Sequence, residues 1–508
     1  MFGNLDEGET LKRIVEKRHQ DSVRSLGLIP IRTRSAEDKQ AAILQRYTAI
    51  QEFRRGSKQF GAMRQASEKL AVSIALQNLA RTAGYPDPVR LEWAMEREVV
   101  ADLMNGPVEV THGDLSVQLS IDDFGSPQLA AMKAGKALKA IPPAAKKEPG
   151  IAALSVRKQE IARQASRVRT SLEEAMCRGD YFTGREVQDL MTHPVIRPML
   201  RSLVLIGEDD RLAGYPSHSG SSLIHWSGEE ARFDDDVRMR VAHPYDLFRL
   251  GQWDKWQWDC FARERVQPFK QVFRELYLLT KADVEDGVKT SRYAGHQIHR
   301  KQAAAILGKR GWITSFDEGD CTRTFHAEGL TVSLTFDYGY TTPGEVEGLT
   351  IADAYFQKRS QFLPAKFDEV PPKVFSEAMR DLDLVVSVAH VGGMDPEASA
   401  STVEMRTSLL RDALRLMKID NVRLLPNHAM VDGKLGTYSV HLGSGTVHRQ
   451  PGGHLCIVPV HGQHRGRMFL PFADDDPRTA EILSKVILLA RDSEIKDPII
   501  LEQIYAGG

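Results

Sequence analysis

Cysteine is scarce and scattered. The chain of 508 residues holds four, Cys177, Cys260, Cys321 and Cys456, and none forms a CxxC pair. That spacing excludes a disulfide framework and a cysteine-rich zinc module. Long apolar runs are missing as well. No stretch reaches the roughly 18 uncharged apolar residues that a spanning helix needs, and the start, MFGNLDEGETLKRIVEKRHQ, lacks the apolar core of a signal peptide. Charge of one sign is also lacking, since 67 Lys plus Arg face 68 Asp plus Glu. No global field therefore draws the whole chain to nucleic acid or an anionic membrane. A period of roughly 20–50 residues, the mark of a solenoid, is absent too. These absences lead to an expectation of a soluble, cytoplasmic, multidomain protein with no metal centre and no assignable cofactor.

What is present is an ordinary globular composition, 42% hydrophobic, over a length that suits about three or four domains. In SKQFGAMRQASEKLAVSIALQNLARTAG, Phe60, Met63, Leu70, Ile74, Leu76 and Leu79 recur at helical spacing, and Gly84 and Pro86 end the run. Asp87 and Pro88 open a second helix, which closes at Gly106. From Val108 the period becomes two, and VEVTHGDLSVQLSID reads as a hairpin. IPPAAKKEPG (141–150) reads as a linker, followed by a long helix to Gly179. LDLVVSVAH reads as a strand, STVEMRTSLLRDALRLMK as a helix, and DDDPRTAEILSKVILLARD as a closing helix with Pro477 at its start. The fold class expected is α+β and multidomain: a helical region with a hairpin (1–145), a mixed α/β middle (146–365), and a C-terminal α+β unit with antiparallel hairpins (366–508).

Chemistry has several candidate seats, each with a plainer structural reading. In TYSVHLGSGTVHRQPGGHLCIVPV (437–460), His441 and Ser444 stand beside glycines, as in an acyl-transfer or NAD pocket, but alternation around GSG equally describes a hairpin. His428, His441, His448, His454, His461 and His464 fall in one window, yet at spacings of neither an HExxH helix nor a finger. FDDDVRMR and ADDDP carry carboxylates suited to Mg²⁺, or to a solvated turn and a helix cap. In AHVGGMDPEASASTVEMR (389–406), His390 enters a glycine turn ahead of a helix bearing Glu404 and Arg406. Free amides at such a helix start bind anions, while Ser401 or Thr402 as N-cap with Glu404 in a capping box is the plainer account. Residues 11–70 carry 14 Lys or Arg against 6 Asp or Glu, which suits a nucleic-acid backbone, a solvated face or an acidic partner domain.

The ordered stretches SKQFGAMRQASEKLAVSIALQNLARTAGYPDPVRLEWAME, AHPYDL, QPFKQVFRELYLLT, RDLDLVVSVAHVGGMDPEASASTVEMR, YSVHLGSGTV and LPFADDDPRTAEILSKVILLARDSEIKDP together resemble a bacterial family of MolR-like proteins. These are relatives of the molybdate-metabolism regulator and are often joined to WGR domains. The resemblance implies a regulatory association and longer family architectures with helical repeats upstream. It carries over no catalytic residue. Two functions are expected as alternatives. One is a regulatory or assembly protein that binds a protein partner or nucleic acid through its basic N-terminal helices, with no membrane contact. The other is an enzyme on a nucleotide or NAD-like substrate, with His390 or His441 as acid/base, Arg406 as phosphate clamp, and Glu404 and Ser444 in the same C-terminal pocket.

Overall fold

The structure, a computed structural model, describes residues 5–33, 35–316, 319–337, 348–359, 361, 363–391, 399–450, 454–455 and 469–506. Two compact units emerge. The first comprises residues up to Ser171 with Gly184–Arg201 and His218–Ser221; the second comprises Leu172–Thr183, Ser202–Ser217 and Ser222–Gly508.

The first unit opens with helices α1 (Glu7–Lys17), α2 (Gln20–Leu26), α3 (Ala36–Gly56), α4 (Ala62–Ala83) and α5 (Pro88–Val100). Asp87 caps α5 by accepting the Arg90 N–H at 2.8 Å, and Gly84 ends α4 at φ +90°, both as the sequence predicts. The buried face of α4 differs from the predicted one. Met63 and Leu70 are 91% and 57% exposed, while Ala71, Val72, Ala75, Leu79 and Ala80 are buried. Leu76 and Leu79 are buried as predicted, but close approach shifts the rest of the face: a Cβ on Gly27 would lie 2.5 Å from the Leu79 nitrogen, so small residues as well as large ones line the packed side. A four-stranded antiparallel meander follows, β1 (Val108–His112), β2 (Leu115–Ile121), β3 (Pro127–Lys133) and β4 (Lys136–Leu138). Residues 141–150 lie within this unit. Helix α6 (Pro149–Arg178) ends at Gly179, which takes φ +71°.

The chain next forms β5 (Tyr181–Thr183) of the second unit, α7 (Gly184–Leu190) and α8 (Ile196–Leu200) of the first, and then stays almost wholly in the second. Strands β6 (Leu205–Gly207), β7 (Ala213–Pro216), β8 (Ser222–Ile224), β9 (Glu230–Arg232) and β10 (Arg238–Val241) make a sheet in the order β5-β10-β6-β7-β8-β9, followed by α9 (Pro244–Arg249) and α10 (Trp253–Ala262). A second sheet is built after α11 (Lys281–Asp286) from β11 (Lys289–Thr290), β12 (Gln297–His299), then, beyond α12 (Arg300–Gly308), β13 (Ile313–Ser315), β14 (Asp320–Phe325), β15 (Leu330–Asp337) and β16 (Gly348–Lys358). Then come α13 (Pro372–Ala389) and α14 (Ala400–Leu416). The last sheet runs β17 (Val422–Leu424), β18 (His428–Asp432), β19 (Thr437–His441), β20 (Val447–Gln450), β21 (His454–Leu455), and the chain closes with α15 (Pro477–Ala490) and α16 (Pro498–Ala506). The chain is thus α+β and multidomain, with a helical N-terminal region and a C-terminal sheet of antiparallel hairpins.

LDLVVSVAH is helical, not a strand. Val374, Ala378, Leu382, Val385 and Ala389 are buried, a spacing of three and four that begins upstream of the β-branched run. That longer period, not the local Val-Val-Ser-Val, sets the conformation.

Candidate functional site

Residues 266–279, VQPFKQVFRELYLL, cross the interior of the second unit without helix or strand apart from one isolated bridge, Gln267 to Phe472. Gln267, Phe269, Gln271, Val272 and Phe273 have no exposed surface. Irregular backbone in a core leaves amides without ladder partners, and here side-chain amides supply them. Gln271 Oε1 accepts the Val204 N–H at 2.9 Å, and its Nε2 donates to the Val204 and Ala242 carbonyls at 2.8 and 2.9 Å. Gln267 Oε1 accepts the Val272 N–H at 3.0 Å. Trp253 Nε1 and Gln257 Nε2 donate to the Val272 carbonyl at 2.7 and 3.0 Å.

The same segment delivers charge to α13. Arg274 grips Glu377 through Nε and Nη2 at 2.8 and 2.7 Å, and reaches Glu173 at 2.7 Å. His243 Nδ1 accepts the Tyr245 N–H at 3.1 Å, so Nε2 carries the proton that it donates to Glu377 at 3.0 Å. The Cys177 thiol adds a 3.2 Å contact to the same carboxylate. Burial alone would raise the Glu377 carboxyl; the Arg274 guanidinium overrides it, aided by His243, and holds the group well below the usual range. Burial pushes His243 down and the Cys177 thiol well up, so Cys177 is no thiolate nucleophile. Beside this cluster Lys270 pairs with Glu275 at 3.1 Å and with Asp476, the N-cap of α15, at 2.7 Å, and Arg380 meets Glu275 at 3.1 Å. These charges are matched within the interior. They lock α13, α15 and the buried segment together, and present no lone pair to a substrate. None was singled out from sequence. The signal available was the polar residues at 267, 270, 271, 274 and 275 inside an otherwise apolar run.

The residues expected to form a pocket fall into separate settings. His441 and Ser444 flank the β19–β20 turn, with His441 Nδ1 accepting the Ser444 N–H at 3.0 Å and lying 3.0 Å from its hydroxyl. The His428 ring stands across from His441 at 4.8 Å. Arg406 joins this turn as a brace: Nη1 donates to the Leu442 and Gly443 carbonyls at 2.8 and 2.9 Å, and Nε to Thr479 at 3.0 Å. His390 caps α13, bridges to Ile298 of the second unit's other sheet and faces His296 at 6.1 Å. Glu404 is exposed and lies on neither. The cap of α14 is Ser399, which accepts the Thr402 N–H at 3.2 Å, rather than Ser401 or Thr402, and Glu404 closes no capping box. Asp383 already occupies that helix start, accepting from Ser399 and Tyr277 at 3.1 and 2.8 Å. The glycines and acidic residues at 392–398, Cys456, His461 and His464 lie outside the described residues. Among the described residues no cluster of three or more His, Cys, Asp or Glu could hold a metal ion.

An open cleft of ≈ 600 Å³ lies in the second unit between α10, α14, residues 273–276 and the end of β17. Trp253, Phe273, Leu276, Met405, Leu424, Leu425 and Pro426 give it an apolar floor; Asp254, Glu404 and Arg411 give it charge, and Ser401, Thr407 and Ser408 hydroxyls. Partial desolvation raises the Glu404 carboxyl. The first strand of the adjoining sheet, β17, is an edge. In the first unit, by contrast, seven arginines of the basic stretch are matched: Arg13 to Glu9, Arg18 and Arg64 to Glu68, Arg24 to Asp21, Arg46 to Glu7, Arg54 to Glu92 and Arg55 to Glu160, while the exposed Arg32 has no ion pair among the described residues and Arg34 lies outside them.

Three families of unknown function match parts of the chain. Residues 1–95 match a family of unknown function (DUF5724), 135–312 a domain of unknown function (DUF4132) and 403–504 a domain of unknown function (DUF7737). The cleft draws its walls from the second and third of these stretches. No curated protein and no solved structure matches the chain. Among the described residues no helix is long and apolar enough to cross a membrane.

Proposed function

We propose that this protein is a non-catalytic regulatory or assembly factor whose second unit holds an extended segment of a protein partner in the cleft beside β17. The carrying observation is the contrast in charge satisfaction. Interior groups such as Glu377, His243 and Arg406 are consumed by neighbours, whereas Asp254, Glu404 and Arg411 at the cleft have no ion pair among the described residues. Leu425 at its rim is 47% exposed, and an edge strand offers backbone groups to an extended chain. The regulatory association implied by the MolR-like resemblance points the same way, and free thiols at Cys177, Cys260 and Cys321 suit a cytoplasmic setting. Peptides selected from a random library on the immobilised chain, then titrated calorimetrically, test this. Binding should weaken at least about tenfold, about 1.4 kcal/mol, in Leu425→Asp and Glu404→Arg with melting temperature unchanged. Peptides indifferent to both substitutions sink the proposal.

The enzyme alternative draws on one observation, that ≈ 600 Å³ falls within the roughly 300–1,000 Å³ of small-molecule sites. Nucleotides or NAD at 100 times their dissociation constant would stabilise the chain by about 2.7 kcal/mol. A melting shift of that order, lost in Arg411→Ala, favours it over partner binding.

A further inference from the structure

Beyond α5 the first unit carries a second basic stretch, part of it in the β-sheet and the segment after it and part in α6. Helices α1–α4 also carry Glu16, Glu37, Asp38 and Glu52, which have no ion pair among the described residues and offset the lysines left over in those helices. Between residues 130 and 170 the chain holds ten Lys or Arg against only Glu148 and Glu160; Arg157 and Arg167 of the ten pair with Asp102 and Glu96 outside the stretch, and the two carboxylates within it already have partners in His112 and Arg55.

The strand register gathers part of this charge at one end of the four-stranded sheet. Lys133 and Lys136 are directly opposite each other across the β3–β4 turn. His112 pairs with Leu115, and Leu115 with Lys133, so the β1–β2 turn lies at the same end. His112 sits 3.5 Å from Glu148, which brings Lys146 and Lys147, the two residues before it, to that end as well. All four lysines are exposed. One carboxylate, Asp114, stands 3.7 Å from Lys133; Lys136, Lys146 and Lys147 have no ion pair among the described residues. Like charges directly opposite weaken a hairpin, yet here they are held beside two more of the same sign in a chain whose net charge is −1.

We propose that this end of the sheet docks on the phosphate backbone of a nucleic-acid duplex. Lysine is a compact point charge on a flexible stem, suited to phosphates and not to the forked reading of base edges. Among the described residues the cluster has no Phe, Tyr or Trp ring on which unpaired bases could stack, as single-strand binders require; its one ring, the His112 imidazole, is held 3.5 Å from Glu148. The exposed Phe124 sits on the β2–β3 turn, at the opposite end of the sheet. Binding is therefore set by charge and duplex geometry, without sequence preference, and does not depend on the cleft.

Fluorescence anisotropy of the full chain with a labelled DNA duplex of about 20 base pairs tests it. Four phosphate contacts give a slope of about −3.6 in log affinity against log salt, a loss of about 10²-fold between 50 and 200 mM. The variant K133Q/K136Q/K146Q/K147Q should lose most of this affinity and most of the slope. The variant K12Q/K17Q/K39Q/K69Q, which removes the same formal charge from α1, α3 and α4, should keep both. No duplex binding at 50 mM salt overturns the proposal. So do equal losses in the two variants, a preference for single strands, or binding to phosphatidylserine-containing vesicles without binding to duplex.

Discussion

Replacing Gln271 by leucine asks whether side-chain amides really sustain a buried irregular segment. The two side chains are close in volume, so the change leaves little cavity. It removes the acceptor for the Val204 N–H and the donor to the Ala242 carbonyl. Two other groups are only partly affected, because the Val204 carbonyl keeps the Ala242 N–H at 2.9 Å and Gln267 keeps the Ser202 carbonyl at 3.0 Å. Two orphaned buried groups at about 1–3 kcal/mol each give a loss of about 2–6 kcal/mol. That is a large share of the roughly 5–15 kcal/mol typical of a domain. Urea unfolding followed by tryptophan fluorescence reports on the right unit, since Trp226, Trp253, Trp256, Trp258 and Trp312 all lie in it. A Gln271→Leu chain that loses less than about 1 kcal/mol would refute the reasoning. It would mean that the segment is held by apolar packing and that its amides find water.

Other substitutions probe the charges. Glu377→Leu leaves the buried Arg274 with only the partly exposed Glu173 as an ionic partner and should cost about 3–5 kcal/mol, whereas adding Arg274→Met should restore part of that loss; a double variant no better than the single one in urea contradicts the pairing. Burial lowers His193 to about 3, with its Nδ1 accepting the Val195 N–H at 3.1 Å. Its unfolded form takes up a proton below about 6.5, so stability in the first unit should be intact above that pH. Below it, down to about 3, the loss should be about 1.4 kcal/mol per pH unit. Amide exchange at Val195 and Ile196 reads this slope, which His193→Gln should abolish. Burial raises Asp412 to about 6, against the opposing pull of Arg411 and Arg415. A raised carboxyl costs stability once ionised, so Asp412→Asn should raise the melting temperature at pH 8 and leave it unchanged at pH 4; an equal gain at both would refute the assignment.

Local signals in the sequence were reliable where the chain makes its own local structure. Gly84, Asp87, Pro88 and Gly179 marked helix ends because caps are set by a few neighbouring residues. The β1–β2 hairpin and the turn after His441 were visible for the same reason. Two kinds of feature were hidden. Helix α4 buries alanines against Gly27, and small residues carry no hydropathy signal strong enough to name a face. Residues 266–279 read as polar and apolar letters in mixture, because the partners that make Gln271, Lys270 and Arg274 interior residues lie 67, 204 and 103 positions away. Site residues were harder still. Arg406 looked like a phosphate clamp, and only the carbonyls of Leu442 and Gly443 reveal it as a brace.

The reach of the buried segment also bears on how the chain is made. The Lys270 amide is completed by the Asp474 carboxylate, 204 residues downstream at 2.8 Å. At a synthesis rate of about 5–20 residues per second, about 10–40 s separate the emergence of one from the other. For that interval Lys270 lacks its Asp474 and Asp476 partners, although the upstream partners of Gln271 have already emerged, and an apolar stretch stays only half anchored on a nascent chain. The second unit therefore cannot mature until the chain has been made past Asp476, and its yield in a cell should respond to chaperone supply far more than the early helices do.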